Sequence, residues 1–175
     1  MIIDERQCRH EHVMDCVRQM MTAARTAPKG KGMDIIEIAA IDGKDIELLS
    51  KTTAELGHQN GHQFFLRDAE NILSAEAVLL IGTQSKTHAL NCGHCGYSTC
   101  GEKPAPVPCA LNTIDAGIAI GSACATAADM RLDTRVMFSA GYAAQSLNLL
   151  PGCRTVFAIP VSASSKNPFF DRSKG

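Results

Sequence analysis

Four of the eight cysteines fall in one short stretch, Cys92-Gly-His-Cys95-Gly-Tyr-Ser-Thr-Cys100-Gly-Glu-Lys-Pro-Ala-Pro-Val-Pro-Cys109, with the spacing C-x2-C-x4-C-x8-C. Soft thiolates select iron–sulfur clusters or zinc over hard cations. A cluster needs four thiolates converging on one cuboid, from a backbone able to bend sharply around it. Gly93, Gly96 and Gly101 each follow a cysteine, where the lack of a Cβ permits positive φ. The eight residues between Cys100 and Cys109 reach about 30 Å when extended, slack enough for Cys109 to fold back.

Structural zinc sites usually bring two knuckles with paired short spacings. Only Cys92 and Cys95 have that spacing. The pattern therefore favours a single [4Fe–4S] cluster on Cys92, Cys95, Cys100 and Cys109, with zinc or free, redox-paired thiols as the alternatives. His94 reads as a solvent-facing loop residue, although it could replace a cysteine on zinc. Lys86 and Lys103 either lie near the cluster and tune it or are ordinary solvated charges.

Three weaker patterns remain. Cys8, His10 and His12 form C-x-H-x-H, a spacing frequent by chance that would need ligands from elsewhere. Cys16, Cys124 and Cys153 read as small buried hydrophobes. Arg25-Thr-Ala-Pro-Lys-Gly-Lys-Gly32 places Arg25, Lys29 and Lys31 between a helix and a strand. A phosphate could bind there, but the order is not that of a P-loop. Cations at a helix C-terminus already suit its dipole.

The elements that carry these residues follow from hydrophobic periodicity. A first helix is predicted over 11–27 through Val13, Val17, Met20, Met21 and Ala24. Residues 33–41 form a buried strand. A second helix runs through Ile46, Leu49 and Leu56, with Gly57 as its stop. A third helix covers 61–74, and Ala77–Gly82 is a second buried strand that feeds the cysteine loop. A helix follows Cys109 to about Ala128, with Asn112 as N-cap and Asp115 three residues on, a weak capping-box pattern. Gly117, Gly121 and Ala125 give it a face that another backbone or a flat cofactor can approach. A further helix spans 136–150, and 154–161 is a last strand whose Pro160 points to an edge.

The length suits one domain, residues 1–175, with the 92–109 iron–sulfur loop inside it. A net charge of −1 gives no reason to expect nucleic acid or an anionic membrane as partner. No apolar run reaches the ~18 residues of a spanning helix. The charged start Met1-Ile2-Ile3-Asp4-Glu5-Arg6 lacks a signal peptide's apolar core. A cytoplasmic location is expected, where thiols stay reduced and cysteines serve metals or redox chemistry.

The chain resembles a family of prokaryotic ferredoxin-domain-containing proteins. The resemblance rests on Ala23-Ala-Arg-Thr-Ala-Pro-Lys-Gly, the Cys92–Cys109 loop, Leu111-Asn-Thr-Ile-Asp-Ala-Gly-Ile-Ala-Ile-Gly-Ser, Arg135-Val-Met-Phe-Ser-Ala-Gly and the ending from Ile159 to Arg172. It implies a [4Fe–4S] site and supplies no reaction. More distantly, the order of elements is similar to the nitroreductase fold, in Ala24-Arg-Thr-Ala-Pro, Asp115-Ala-Gly-Ile-Ala and Val156-Phe-Ala-Ile-Pro-Val. That similarity implies an α+β domain with a small mixed sheet flanked by helices and the metal loop inserted before the central helix. It also implies an intertwined homodimer with FMN at its interface. The Arg-x-Ser-x-Arg phosphate clamp of that family is absent, which leaves Arg25, Lys29 or Lys31 as candidates for the FMN phosphate.

The expected function is an iron–sulfur redox protein passing single electrons to FMN or to a partner protein, with oxidoreductase activity open. The alternative is a non-catalytic module, structural or sensing, braced by zinc or a cluster.

Overall fold

In the computed structural model, which describes residues 1–171, the order of elements is α1 (Glu5–Thr26), a 3-10 turn (Gly30–Gly32), β1 (Ile36–Ile41), α2 (Gly43–Asn60), α3 (Gln63–Ile72), β2 (Ala77–Gln84), α4 (Ala110–Asp129), β3 (Asp133–Thr134), α5 (Phe138–Ser146), β4 (Cys153–Ser162) and a last 3-10 turn (Pro168–Phe170). Arg172, which closes the resemblance to the ferredoxin-domain family, lies outside the described residues. The strands form one sheet in the order β1-β2-β4-β3. Every pairing is antiparallel, where a mixed sheet was expected.

β2 is buried on both faces because helices cover both sides of the sheet. Ala77, Leu79 and Ile81 pack with Val13, Val17 and Met20 of α1 and with Ala116, Ala119 and Ala123 of α4. Val78 and Leu80 pack instead with Ile46 and Leu49 of α2 and Ala140, Ala143 and Ala144 of α5. Successive side chains of a strand point to opposite faces, so one continuous apolar run supplies two cores.

Several boundaries differ from those the sequence predicts, each for a local reason. α1 begins six residues before position 11, because Asp4 caps it by accepting the Arg6 N–H, although its first turns carry no apolar period. Gly57 does not stop α2. It lies inside the helix, where a Cβ would come within 2.8 Å of the Phe65 Cβ, and the helix ends at Gly61 in the left-handed region at φ 69°. α5 stops well short of Pro151. Asn148 adopts φ 54°, and the Leu149 N–H donates to the Ala144 carbonyl, which closes the helix by a Schellman turn.

Pro160 does not mark an edge strand, since β4 pairs with both β2 and β3. Ala158 exchanges backbone hydrogen bonds with Met137 on the side away from β2. Two residues on, Pro160 presents its missing N–H to that same side, between the Met137 bridge and the short β3 ladder. The proline thus sits in a gap of the flanking ladder. The strand β3 itself is too short to have been read from periodicity.

Candidate functional site

The cysteine loop leaves the end of β2 and closes at Cys109, the N-cap residue of α4. Cys92 is exposed, Cys95 and Cys100 are half-buried, and Cys109 is buried at 7% exposure. All eight cysteines carry free thiols. Gly93 and Gly96 do adopt the left-handed conformation, at φ 73° and 89°, and the Gly96 N–H closes a turn on the Gly93 carbonyl. Gly101, expected to do the same, is not in that region. The Cys100 N–H donates to Asn91 Oδ1 at 2.8 Å, and Lys103 Nζ donates to the Val107 carbonyl at 2.6 Å. Each arm of the loop is therefore internally braced. Among the described residues, no three His, Cys, Asp or Glu side chains are gathered as a bare metal ion would need.

The root of the loop is held by polar residues of α4 that sequence reasoning assigned differently. Asn112 is not the N-cap. It is buried in the first turn, and its Nδ2 donates to the carbonyls of Gln84, at 3.1 Å, and Lys86. Asp115 does not complete a capping box. It accepts the Gly30 N–H at 3.1 Å on each oxygen, and its Oδ2 lies 2.9 Å from His88 Nε2.

His88 is 1% exposed and was missed by sequence reasoning. Its Nε2 touches the carboxylate but lies off the direction of a well-aimed ring hydrogen bond, and its Nδ1 has no hydrogen-bond partner among the described residues. The contact is therefore a close approach more than a well-aimed hydrogen bond. A Cβ on Gly30 would stand 3.4 Å from this ring, and Lys31 Nζ donates to the His88 carbonyl. α4, the Gly30–Gly32 turn and the strap after β2 thus meet at one buried polar junction.

The three cations considered for a phosphate are each bonded to oxygens of the chain itself. Arg25 Nη1 binds Asp34 at 2.7 Å and the Ile36 carbonyl at 2.6 Å. Burial pushes the Asp34 carboxyl up, but the hydrogen bond and charge of Arg25 outweigh it and hold that carboxyl below its ordinary range. Lys29 Nζ donates to the carbonyls of Ala24, Arg25 and Ala27 at the end of α1. Lys31 is engaged at His88, as above.

His94 and Lys86 are exposed. The C-x-H-x-H residues lie on α1, where His10 turns to Asp42 at 3.3 Å and Glu76 at 3.1 Å. Cys16 is buried, while Cys124 and Cys153 are half-buried. Burial pushes all three thiols up, Cys153 to about 11.

The glycine stripe of α4 faces outward. Gly117, Gly121 and Ala125 are exposed, with Ile114 at 50% and Ile118 at 42% beside them. The small residues that let α4 lie close to its neighbours are instead Ala116, Ala119, Ala123 and Ala127. Ser122 Oγ, donating to the Ala23 carbonyl at 2.9 Å, ties α4 to α1.

An uncharacterized protein of Archaeoglobus fulgidus is 37% identical to this chain, covering 99% of it and 98% of that protein. The family model described as an uncharacterized protein containing a ferredoxin domain (DUF2148) matches residues 105–172. The chain belongs to this ferredoxin-domain family. The matched stretch includes Cys109 and begins after Cys92, Cys95 and Cys100. Among solved structures, a nitroreductase with bound FMN from Desulfitobacterium hafniense aligns with a TM-score of 0.61 at 12% identity, over 87% of this chain and 78% of that one. A nitroreductase with bound FMN from Bacteroides fragilis aligns with a TM-score of 0.59 at 11% identity, over 86% and 77%. These likenesses show the fold, which is nitroreductase-like. No helix among the described residues is long and apolar enough to cross a membrane.

Proposed function

We propose that this ferredoxin-domain protein carries one [4Fe–4S] cluster on Cys92, Cys95, Cys100 and Cys109 and passes single electrons to a partner protein. The carrying observation is the donor set itself, four uncrosslinked thiols in one loop between β2 and α4, with left-handed glycines directly after Cys92 and Cys95. The donor chemistry fits a thiolate-ligated cluster, and the loop is an insertion within one domain of residues 1–175. A cluster of this kind supplies one-electron chemistry.

The chain's own contribution is placement. Cys109 stands at the positive end of a helix of 20 residues, where an anionic group is favoured. Asn112 and Asp115 fix the strap that leads to Cys92, and the Asn91 and Lys103 hydrogen bonds brace the two arms. Holding a cluster would require the two arms to close on one another.

FMN has weaker support. It is named with the fold neighbours, but Arg25, Lys29 and Lys31 bond to oxygens of the chain itself and do not form a phosphate clamp as placed. No flavin step is included. In the same proposal a second copy covers the apolar outer face of α4, around Ile114 and Ile118. Nitroreductase-like folds are often dimers, and the small residues there permit a close approach.

The test is metal, sulfide and flavin analysis after anaerobic purification. Equimolar iron and sulfide, with a visible band that bleaches on reduction, supports the cluster. Cys92→Ser, Cys95→Ser, Cys100→Ser and Cys109→Ser should each lose iron, while Cys124→Ala keeps it. One zinc with neither iron nor sulfide would favour the braced, non-catalytic module instead.

A further inference from the structure

Beside Cys109 the return arm of the loop leans over the sheet and leaves a narrow crevice. Its lining includes Ala105, Val107, Cys109 and Asn112 together with Gln84 and Arg154. The register of the β2–β4 ladder explains how an arginine comes to be there. Thr83 pairs with Thr155 and Gln84 pairs with Cys153, so Arg154 has no partner and is the extra residue of a β-bulge. Bulges re-aim a side chain out of the strand's alternation and are common beside functional sites. Here the bulge lies on the β4 side, at the level where β2 gives way to the cysteine loop.

The charge on Arg154 is uncommitted. It makes no hydrogen bond or ion pair among the described residues, whereas Lys103 is engaged on the Val107 carbonyl and Lys31 on the His88 carbonyl; Lys86, at the start of the loop, is likewise without a side-chain partner among the described residues but does not line the crevice. Nothing in the packing of β4 requires a guanidinium at this exposed position.

We propose that Arg154 is the positioning cation that sets the reduction potential of the cluster bound through Cys109. This rests on the cluster proposed above. Four thiolates around a [4Fe–4S] core carry net negative charge, and reduction adds one more. Charge near a cluster is among the terms that set its potential. A cation beside one ligand favours the more negative, reduced state and raises the potential. Because Arg154 is exposed, added salt weakens the effect.

The experiment compares the wild-type chain with Arg154→Gln and Arg154→Lys, each purified anaerobically and assayed first for iron and sulfide. Redox titration followed by the EPR signal of the reduced state then gives the midpoint. Arg154→Gln should lower the reduced-to-oxidised ratio at a fixed applied potential about tenfold, which is a downward shift of about 59 mV for one electron. Arg154→Lys should keep most of the wild-type value. Arg18→Gln, on a residue of α1 that does not line the crevice, should change nothing. A full cluster in Arg154→Gln with an unmoved midpoint overturns this assignment alone. Wild-type protein without iron and sulfide overturns the cluster and the assignment with it.

Discussion

Replacing Asp115 with alanine probes the junction that holds the cysteine loop to the fold. Asp115 is 4% exposed and meets two partners at once, the Gly30 N–H and His88 Nε2. Alanine leaves the half-buried Gly30 N–H without its acceptor, which costs about 1–3 kcal/mol. The buried imidazole also loses the carboxylate contact at its Nε2. Because that contact is poorly directed it contributes less, about 1 kcal/mol. The sum is about 3 kcal/mol, a fall in melting temperature of about 6–12 °C for a chain of this size. Asp115→Asn keeps one acceptor for Gly30 and should lose about half as much. Urea denaturation followed by far-ultraviolet circular dichroism measures both. Iron incorporation should fall with Asp115→Ala even at temperatures where the protein stays folded, since the strap to Cys92 is released. A loss below about 1 kcal/mol in the alanine variant, with wild-type iron content, would refute the idea that this junction positions the loop.

Three further outcomes follow from particular contacts. Gly141→Ala should destabilise the chain by at least about 3 kcal/mol, because a Cβ there would lie 2.2 Å from the Val156 carbonyl oxygen and force α5 away from β4; thermal unfolding measures it. The Cys153 thiol is raised by burial to about 11 from an ordinary 9.0. Its contribution is thus fully present below pH 9.0 and lost as the pH rises toward about 11. The loss is about 1 kcal/mol after allowance for partial solvent screening, and it should vanish from the pH dependence of urea midpoints in Cys153→Ala. Ile118→Glu on the outer face of α4 should convert a dimer to a monomer in sedimentation; a wild-type chain that is already monomeric at micromolar concentration removes the second-copy proposal.

The candidate site was legible in parts. Spacing and residue type put four cysteines in one loop, and the burial of Cys16 and the exposure of His94 agree with the sequence reading. Asn112 and Asp115 were visible as polar residues at a helix start, and local capping was the natural assignment. Their actual partners, Gln84, Lys86, Gly30 and His88, lie far away in sequence. No periodicity reports a hydrogen bond of that kind. Arg154 was equally silent, because a bulge is a property of two paired strands and β4 alone does not reveal it.

By itself the sequence determined the order of the five helices and the three longer strands, the two-sided burial of β2 and the location of the thiol-rich loop. Those features depend on local periodicity, turn residues and composition, which a short window of chain contains. The tertiary structure decided which way the sheet pairs, which stripe of α4 is buried and which is left outward, and what the cations near Gly30 bind. It also placed His88 against Asp115 and put Arg154 and Cys109 in the lining of one crevice. Each of these depends on which distant backbone atom lies within about 3 Å, the reach of a hydrogen bond. That is settled only when the two cores on either side of the sheet are packed.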